Sequence, residues 1–97
     1  MKLSIGTAQF GFNYGICNKK GIVKIKEVKK IFDYCKLKKI RSIDTAQGYG
    51  KSHEKLRSLK LKKFIITTKI SNLSNNSEEK LSFKVDNILA ELNVKKV

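Results

Sequence analysis

Three short apolar runs, Leu3-Ser4-Ile5, Ile40 to Ile43 and Phe64 to Ile70, alternate with segments whose apolar residues recur at helical spacing. That alternation limits the possible folds more than any other feature. Short apolar runs bounded by polar or glycine-rich segments read as buried strands. Ile25, Val28, Ile31, Phe32 and Cys35 form one stripe of a helix over Ile25 to Lys38, and His53 to Leu59 reads as a shorter helix. Leu81, Val85, Ile88, Leu89 and Leu92 line a third helix, Glu78 to Asn93, whose early acids suit the positive end of its dipole. Asn76 and Glu79 have the spacing of a capping box before it. Ser71 to Ser77 reads as a polar loop, and Val94 to Val97 as the first residues of a fourth strand. Strands alternating with helices form right-handed βαβ crossovers and a parallel sheet, so the expected class is α/β.

In such sheets ligands bind and chemistry occurs at the carboxyl ends of the strands. Asp44 ends the second run, Tyr49 follows it in the strand-to-helix loop, and Lys69 lies near the end of the third run. An acid, a phenol and an ammonium at successive strand ends suggest a site in which Lys69 tunes the proton affinity of Tyr49. Singly, each has a plainer reading: Asp44 as a turn cap, Tyr49 as a turn aromatic, Lys69 as one lysine among many. The first strand is followed by a glycine-punctuated loop, Gly6 to Gly15, where the backbone can approach a ligand closely. It is not a phosphate loop. Gly6 and Gly11 have the P-loop spacing, but Phe12 stands where lysine is required; Gly50-Lys51-Ser52 has the ending, but Thr45 stands where the first glycine should be. The dinucleotide pattern Gly-x-Gly-x-x-Gly is absent from this loop as well.

Composition narrows the partners. The formal charge of +14 over 97 residues comes almost wholly from lysine, with arginine only at 41 and 57. Scattered lysine with little arginine, the usual base-reading residue, fits a solvated surface and a lysine-rich codon bias better than specific nucleic-acid recognition. Cys17 and Cys35 with the single His53 supply too few soft ligands for a zinc site, so no metal is expected. The cysteines read as reduced thiols. The amino terminus lacks the apolar core of a secretory signal, and no run approaches a membrane span. A cytoplasmic protein is expected, with no membrane partner.

The strand-end residues also carry a resemblance. Asp44-Thr45-Ala46-x-x-Tyr49-Gly50-x-Ser52, the opening Gly6-Thr7-Ala8-Gln9-Phe10-Gly11 and Thr67-Thr68-Lys69 together resemble the amino-terminal third of an aldo-keto reductase. The resemblance covers nearly the whole chain and implies about three βα units, and the start of a fourth strand, of a (β/α)8 TIM barrel. It implies NADPH-dependent reduction of an aldehyde or ketone, with Tyr49 as general acid, Lys69 favouring the phenolate and Asp44 holding that lysine. It further implies that Gly6, Thr7 and Asp44 lie at the cofactor. A small-molecule carbonyl compound is the implied partner, and the opening motif, similar to members found among sugar and polysaccharide enzymes, points to a sugar. The family's fourth residue, a histidine at the end of strand four, is not reached. His53 stands where the family usually has glutamate, and Arg57 where it usually has glycine. A barrel of this kind needs about 250 residues to close, so the sequence reads as cut short and, by itself, inactive. The alternatives are a barrel remnant that is inactive or acts only by associating with another chain and, on net charge alone, a basic nucleic-acid-binding protein.

Overall fold

The computed structural model describes residues 2–70 and 78–97. Three strands, β1 (Ser4–Gly6), β2 (Ser42–Asp44) and β3 (Ile65–Thr67), lie side by side in sequence order, all parallel. Ser4, Ser42 and Ile65 are in register, as are Gly6, Asp44 and Thr67. Strand side chains alternate between faces. Ile5, Ile43 and Ile66 therefore share the face covered by helices, while the Gly6-Asp44-Thr67 row lies on the opposite face, which no described helix covers. Ile65 on that open face is 71% exposed.

The described residues also form the helices α1 (Ala8–Gly11), α2 (Ile25–Leu37), α3 (Ser52–Arg57) and α4 (Glu78–Leu92). Val28 and Phe32 of α2, Leu56 of α3, and Ile88 and Leu92 of α4 meet Ile43 and Ile66 in one core, joined by Phe10 and Leu61. Phe32 links the two ends of that core, with ring centroids 6.3 Å from Phe10 and 5.1 Å from Phe64. Burial among these groups pushes the Cys35 thiol pKa upward. Among the described residues no helix is long and apolar enough to cross a membrane.

Both long helices stop in the same way. After α2, Lys39 takes a positive φ of 59°, its N–H bonds to Lys36 O, and Ile40 N–H bonds to Cys35 O at 2.8 Å. After α4, Asn93 takes φ 54°, with its N–H on Ala90 O and Val94 N–H on Leu89 O. This paired bonding is the Schellman termination, which satisfies the last carbonyls and lets the next apolar residue fold back on the helix.

The structure departs from the sequence reading at several points. The glycine loop contains the one-turn helix α1, wedged against α3 and held by Phe10 N–H on Thr7 O. Val94 to Val97 form no strand. After α2 the ladder begins two residues beyond Ile40, at Ser42; the equivalent point after Val94 is Lys96, too late for Val94 and Lys95 to pair. Val94 instead packs on the core. The third strand is shorter than expected, so Lys69 lies two residues beyond it. Ile25 and Leu81, at the first turns of their stripes, are exposed. A three-residue strand spans about 10 Å, whereas a 13-residue helix such as α2 runs about 20 Å, so the helices overhang the sheet. The expected loop 71–77 and the Asn76-Glu79 box lie outside the described residues.

Candidate functional site

The parallel register places the carboxyl ends of all three strands together, and every candidate residue lies at those ends or in the segments leaving them. Asp44 ends β2 on the open face. The loop from Thr45 to Lys51 then turns tightly, with Tyr49 N–H bonded to Ala46 O and Ser52 N–H to Tyr49 O. Gln47 N–H bonds to Lys69 O at 3.0 Å, which ties the segment after β3 to the tyrosine loop.

Two glycines let that loop sit where it does. A Cβ at Gly11 would collide with the carbonyl of Tyr49, and one at Gly50 with the carbonyl of Gly11. Gly50 also has a positive φ of 54°, which L side chains disfavour. Helix α1 and the tyrosine loop thus interlock through bare backbone.

Lys69 is the hub. Its Nζ donates to Asp44 Oδ1 at 2.9 Å, to Thr45 O at 3.3 Å and to Tyr49 Oη at 3.5 Å. An ammonium has three protons and no acceptor, so three acceptors match its capacity. The Asp44 hydrogen bond, aided by the Tyr49 contact and the Asp44 charge, holds Lys69 above the ordinary lysine pKa, while partial desolvation opposes the shift. Nζ lies 5.3 Å from the centre of the Tyr49 ring, farther than from the hydroxyl, so the contact is directed at oxygen. Phe12 tilts against the Tyr49 ring at 6.0 Å and meets Tyr14 edge-on at 5.6 Å. This arrangement places a phenol hydroxyl, an ammonium and a carboxylate in one hydrogen-bonded cluster.

A cleft of about 460 Å³ opens beside the site, bordered by Gly6, Thr7, Gln9, Tyr14, Asp44 and Tyr49 among others. A larger concavity of about 1210 Å³ lies under the loop from Tyr14 to Lys24, away from Lys69. The smaller cleft is the one with Asp44 and Tyr49 at its wall. A Cβ at Gly6 would meet nothing within 4 Å. Thr7 is different, being 0% exposed. Its N–H and hydroxyl both donate to Asp44 O, and its carbonyl accepts from Ser52 Oγ. Every polar group of Thr7 is used inside the protein, leaving it a wall of the cleft rather than a donor to a ligand.

The structure thus brings Asp44, Tyr49, Lys69, Gly6 and Thr7 to one end of the sheet. His53 is not at the cleft. It is 5% exposed between α4 and the end of β3, with Nδ1 2.8 Å from Glu91 Oε2. Thr45 and Ser52, both 0% exposed, stand in the motif that carries the resemblance, but sequence reasoning gave neither a role.

No family model and no curated protein matches the chain. Solved structures do. Two from Pseudomonas aeruginosa, both provisionally described as aldo-keto reductases, superpose on 97% of this chain. One does so with a TM-score of 0.79 at 24% identity, the other with 0.76 at 23%. The chain spans 39% and 37% of their respective lengths. Likeness at this identity is one of fold: an α/β unit with a parallel three-stranded sheet, of the kind found in part of an aldo-keto reductase.

Proposed function

We propose that this chain is the amino-terminal part of a (β/α)8 barrel oxidoreductase that reduces an aldehyde or ketone, such as a sugar carbonyl, with NADPH. The observation that carries the reading is the convergence of Asp44 and Tyr49 on the Lys69 ammonium at the carboxyl end of a parallel sheet. A phenol hydroxyl in contact with a fixed ammonium is placed to act as a general acid, the ammonium balancing the charge left when the proton moves. In this reading Tyr49 protonates the carbonyl oxygen, Lys69 stabilises the phenolate left behind, and Asp44 keeps the lysine charged and in place.

NADPH, when bound, supplies the hydride. The residues present fit its reactive end: the space in front of Gly6 is open, and the adjoining cleft of about 460 Å³ is bordered by Asp44 and Tyr49. Gly6 and Asp44 would line the nicotinamide side, and Thr7 would shape it. The phosphate-gripping loops of such barrels usually follow strands seven and eight, so the 97 residues alone are expected to show no turnover.

The test is a chimaera joining residues 1–97 to the remainder of one Pseudomonas aeruginosa neighbour, assayed for carbonyl-dependent NADPH oxidation beside the chain alone. The chimaera should turn over, and Tyr49→Phe should lower kcat by about 10²-fold or more. Equal activity with phenylalanine would sink the assignment of Tyr49, and turnover by the 97-residue chain would sink the incomplete-site reading.

A second reading has one observation in its favour. Among the described residues the outer edges of β1 and β3 are unpaired, and Ile65 is exposed on the sheet face opposite the helices. Such surfaces pair with other chains, and a defined oligomer in sedimentation would support association as the role.

A further inference from the structure

Thr7, Thr45 and Thr68 each follow the last residue of a strand, one step beyond the registered row Gly6-Asp44-Thr67. Alternation turns them to the helix side, away from the open face that carries Asp44. There, two consecutive residues of α3 bond all three.

Ser52 Oγ lies 2.9 Å from Thr7 Oγ1, 3.1 Å from Thr7 O and 3.3 Å from Thr45 Oγ1. A serine hydroxyl has one proton. With that proton on Thr7, Thr45 becomes the donor to Ser52, and Thr7 donates onward to Asp44 O at 3.2 Å. The hydroxyl chain therefore starts at the end of β2, crosses to β1 and returns to the main chain of Asp44.

His53 handles the third strand. Its Nδ1 lies 2.8 Å from Glu91 Oε2 in α4, and its Nε2 lies 3.3 Å from the hydroxyl of Thr68, the residue before Lys69. A carboxylate only accepts, so Nδ1 carries a proton, and in the neutral ring Nε2 accepts from Thr68. Among the described residues no buried side-chain nitrogen or oxygen lacks a partner. A fully satisfied buried network holds its members in one geometry more strictly than apolar packing does.

We propose that Ser52 and His53 are positioning residues for Asp44, Tyr49 and Lys69, setting the mutual placement of the three strand ends through the threonine hydroxyls at 7, 45 and 68. The inference rests on the reading of those three residues as the reacting site. It gives α3 a task beyond packing. Leu56 anchors the helix in the core, while Ser52 and His53 align what leaves the sheet.

The experiment is an NMR titration of the Lys69 ε-group in the 97-residue chain, comparing wild type with Thr68→Val, Thr68→Ser, Ser52→Ala and Val28→Ala. Wild-type Lys69 should titrate above the other lysines. Thr68→Val and Ser52→Ala should return it toward them, whereas Thr68→Ser, which keeps the hydroxyl, should not. Val28→Ala should lower the melting temperature and leave Lys69 where it was. If Thr68→Val and Ser52→Ala lose stability while Lys69 titrates as in wild type, the network is structural only and the inference is overturned. Should Ser52→Ala fail to fold, valine against serine at position 68 decides. A wild-type Lys69 that titrates with the other lysines overturns both this inference and the site on which it rests.

Discussion

Lys69 Nζ sits 2.9 Å from Asp44 Oδ1 although 25 positions separate the two residues in sequence. The parallel register brings them together: Asp44 pairs with Thr67, so a lysine two residues beyond the end of β3 reaches back over the end of β2. Both side chains remain about half exposed, 54% for Lys69 and 44% for Asp44.

That pairing has a definite pH signature. The folded state raises the pKa of Lys69. Its contribution to stability is therefore fully present below the ordinary lysine value of about 10.4 and lost as pH rises through the raised value. Solvent screening of an exposed pair keeps the amount under about 1 kcal/mol. Urea denaturation at neutral pH should show Lys69→Met and Asp44→Asn each slightly less stable than wild type, with the double variant no worse than either. The gap between wild type and Lys69→Met should close at high pH. A gap that widened with pH would contradict the pairing.

The glycines near the site should divide sharply. Gly11→Ala and Gly50→Ala force a methyl into backbone at the contact of α1 with the tyrosine loop, and overpacking costs about 1–3 kcal/mol, with a further cost at Gly50 from its positive φ. Gly6→Ala meets no protein atom, so its stability should stay within about 0.5 kcal/mol of wild type. Thermal melts of the three variants check this ordering. In an active chimaera the Gly6 variant should weaken NADPH binding, because the added methyl enters the proposed cofactor space.

Lys39 offers the opposite kind of change. A lysine at φ 59° occupies a left-handed position that glycine takes without steric cost. Lys39→Gly should raise stability by about 0.5–1 kcal/mol, the relief of strain exceeding the added freedom of the unfolded chain. Asn93→Gly, at φ 54°, should gain less, since asparagine already tolerates that region. Equilibrium unfolding of both variants measures the difference.

Much of this fold was legible because its signals are local. The stripe Val28-Phe32-Cys35 predicts α2 and the stripe Ile88-Leu92 predicts α4, since burial of one helix face requires that spacing. The apolar runs around Ile43 and Ile66 mark strands for the same reason. Helix α1 was not legible. Its four residues include no stripe, and a single turn has little stability of its own; contact with the tyrosine loop makes it a helix. The strand expected at Val94 was misread because an apolar residue after a helix serves a Schellman fold-back as readily as a strand.

The sequence by itself determined the alternation of β1, β2 and β3 with α2, α3 and α4, the placement of Asp44, Tyr49 and Lys69 at or just beyond strand ends, and the glycine-punctuated loop after β1. Hydrophobic spacing and backbone sterics act over a few residues, so one chain read in order suffices for them. Only the tertiary structure decided that Thr7 is sealed inside rather than offered to a ligand, that His53 joins Glu91 to Thr68, and that Ser52 links the ends of β1 and β2. Those outcomes depend on parallel register and on which face of a strand meets a helix, relations between segments that no local pattern encodes.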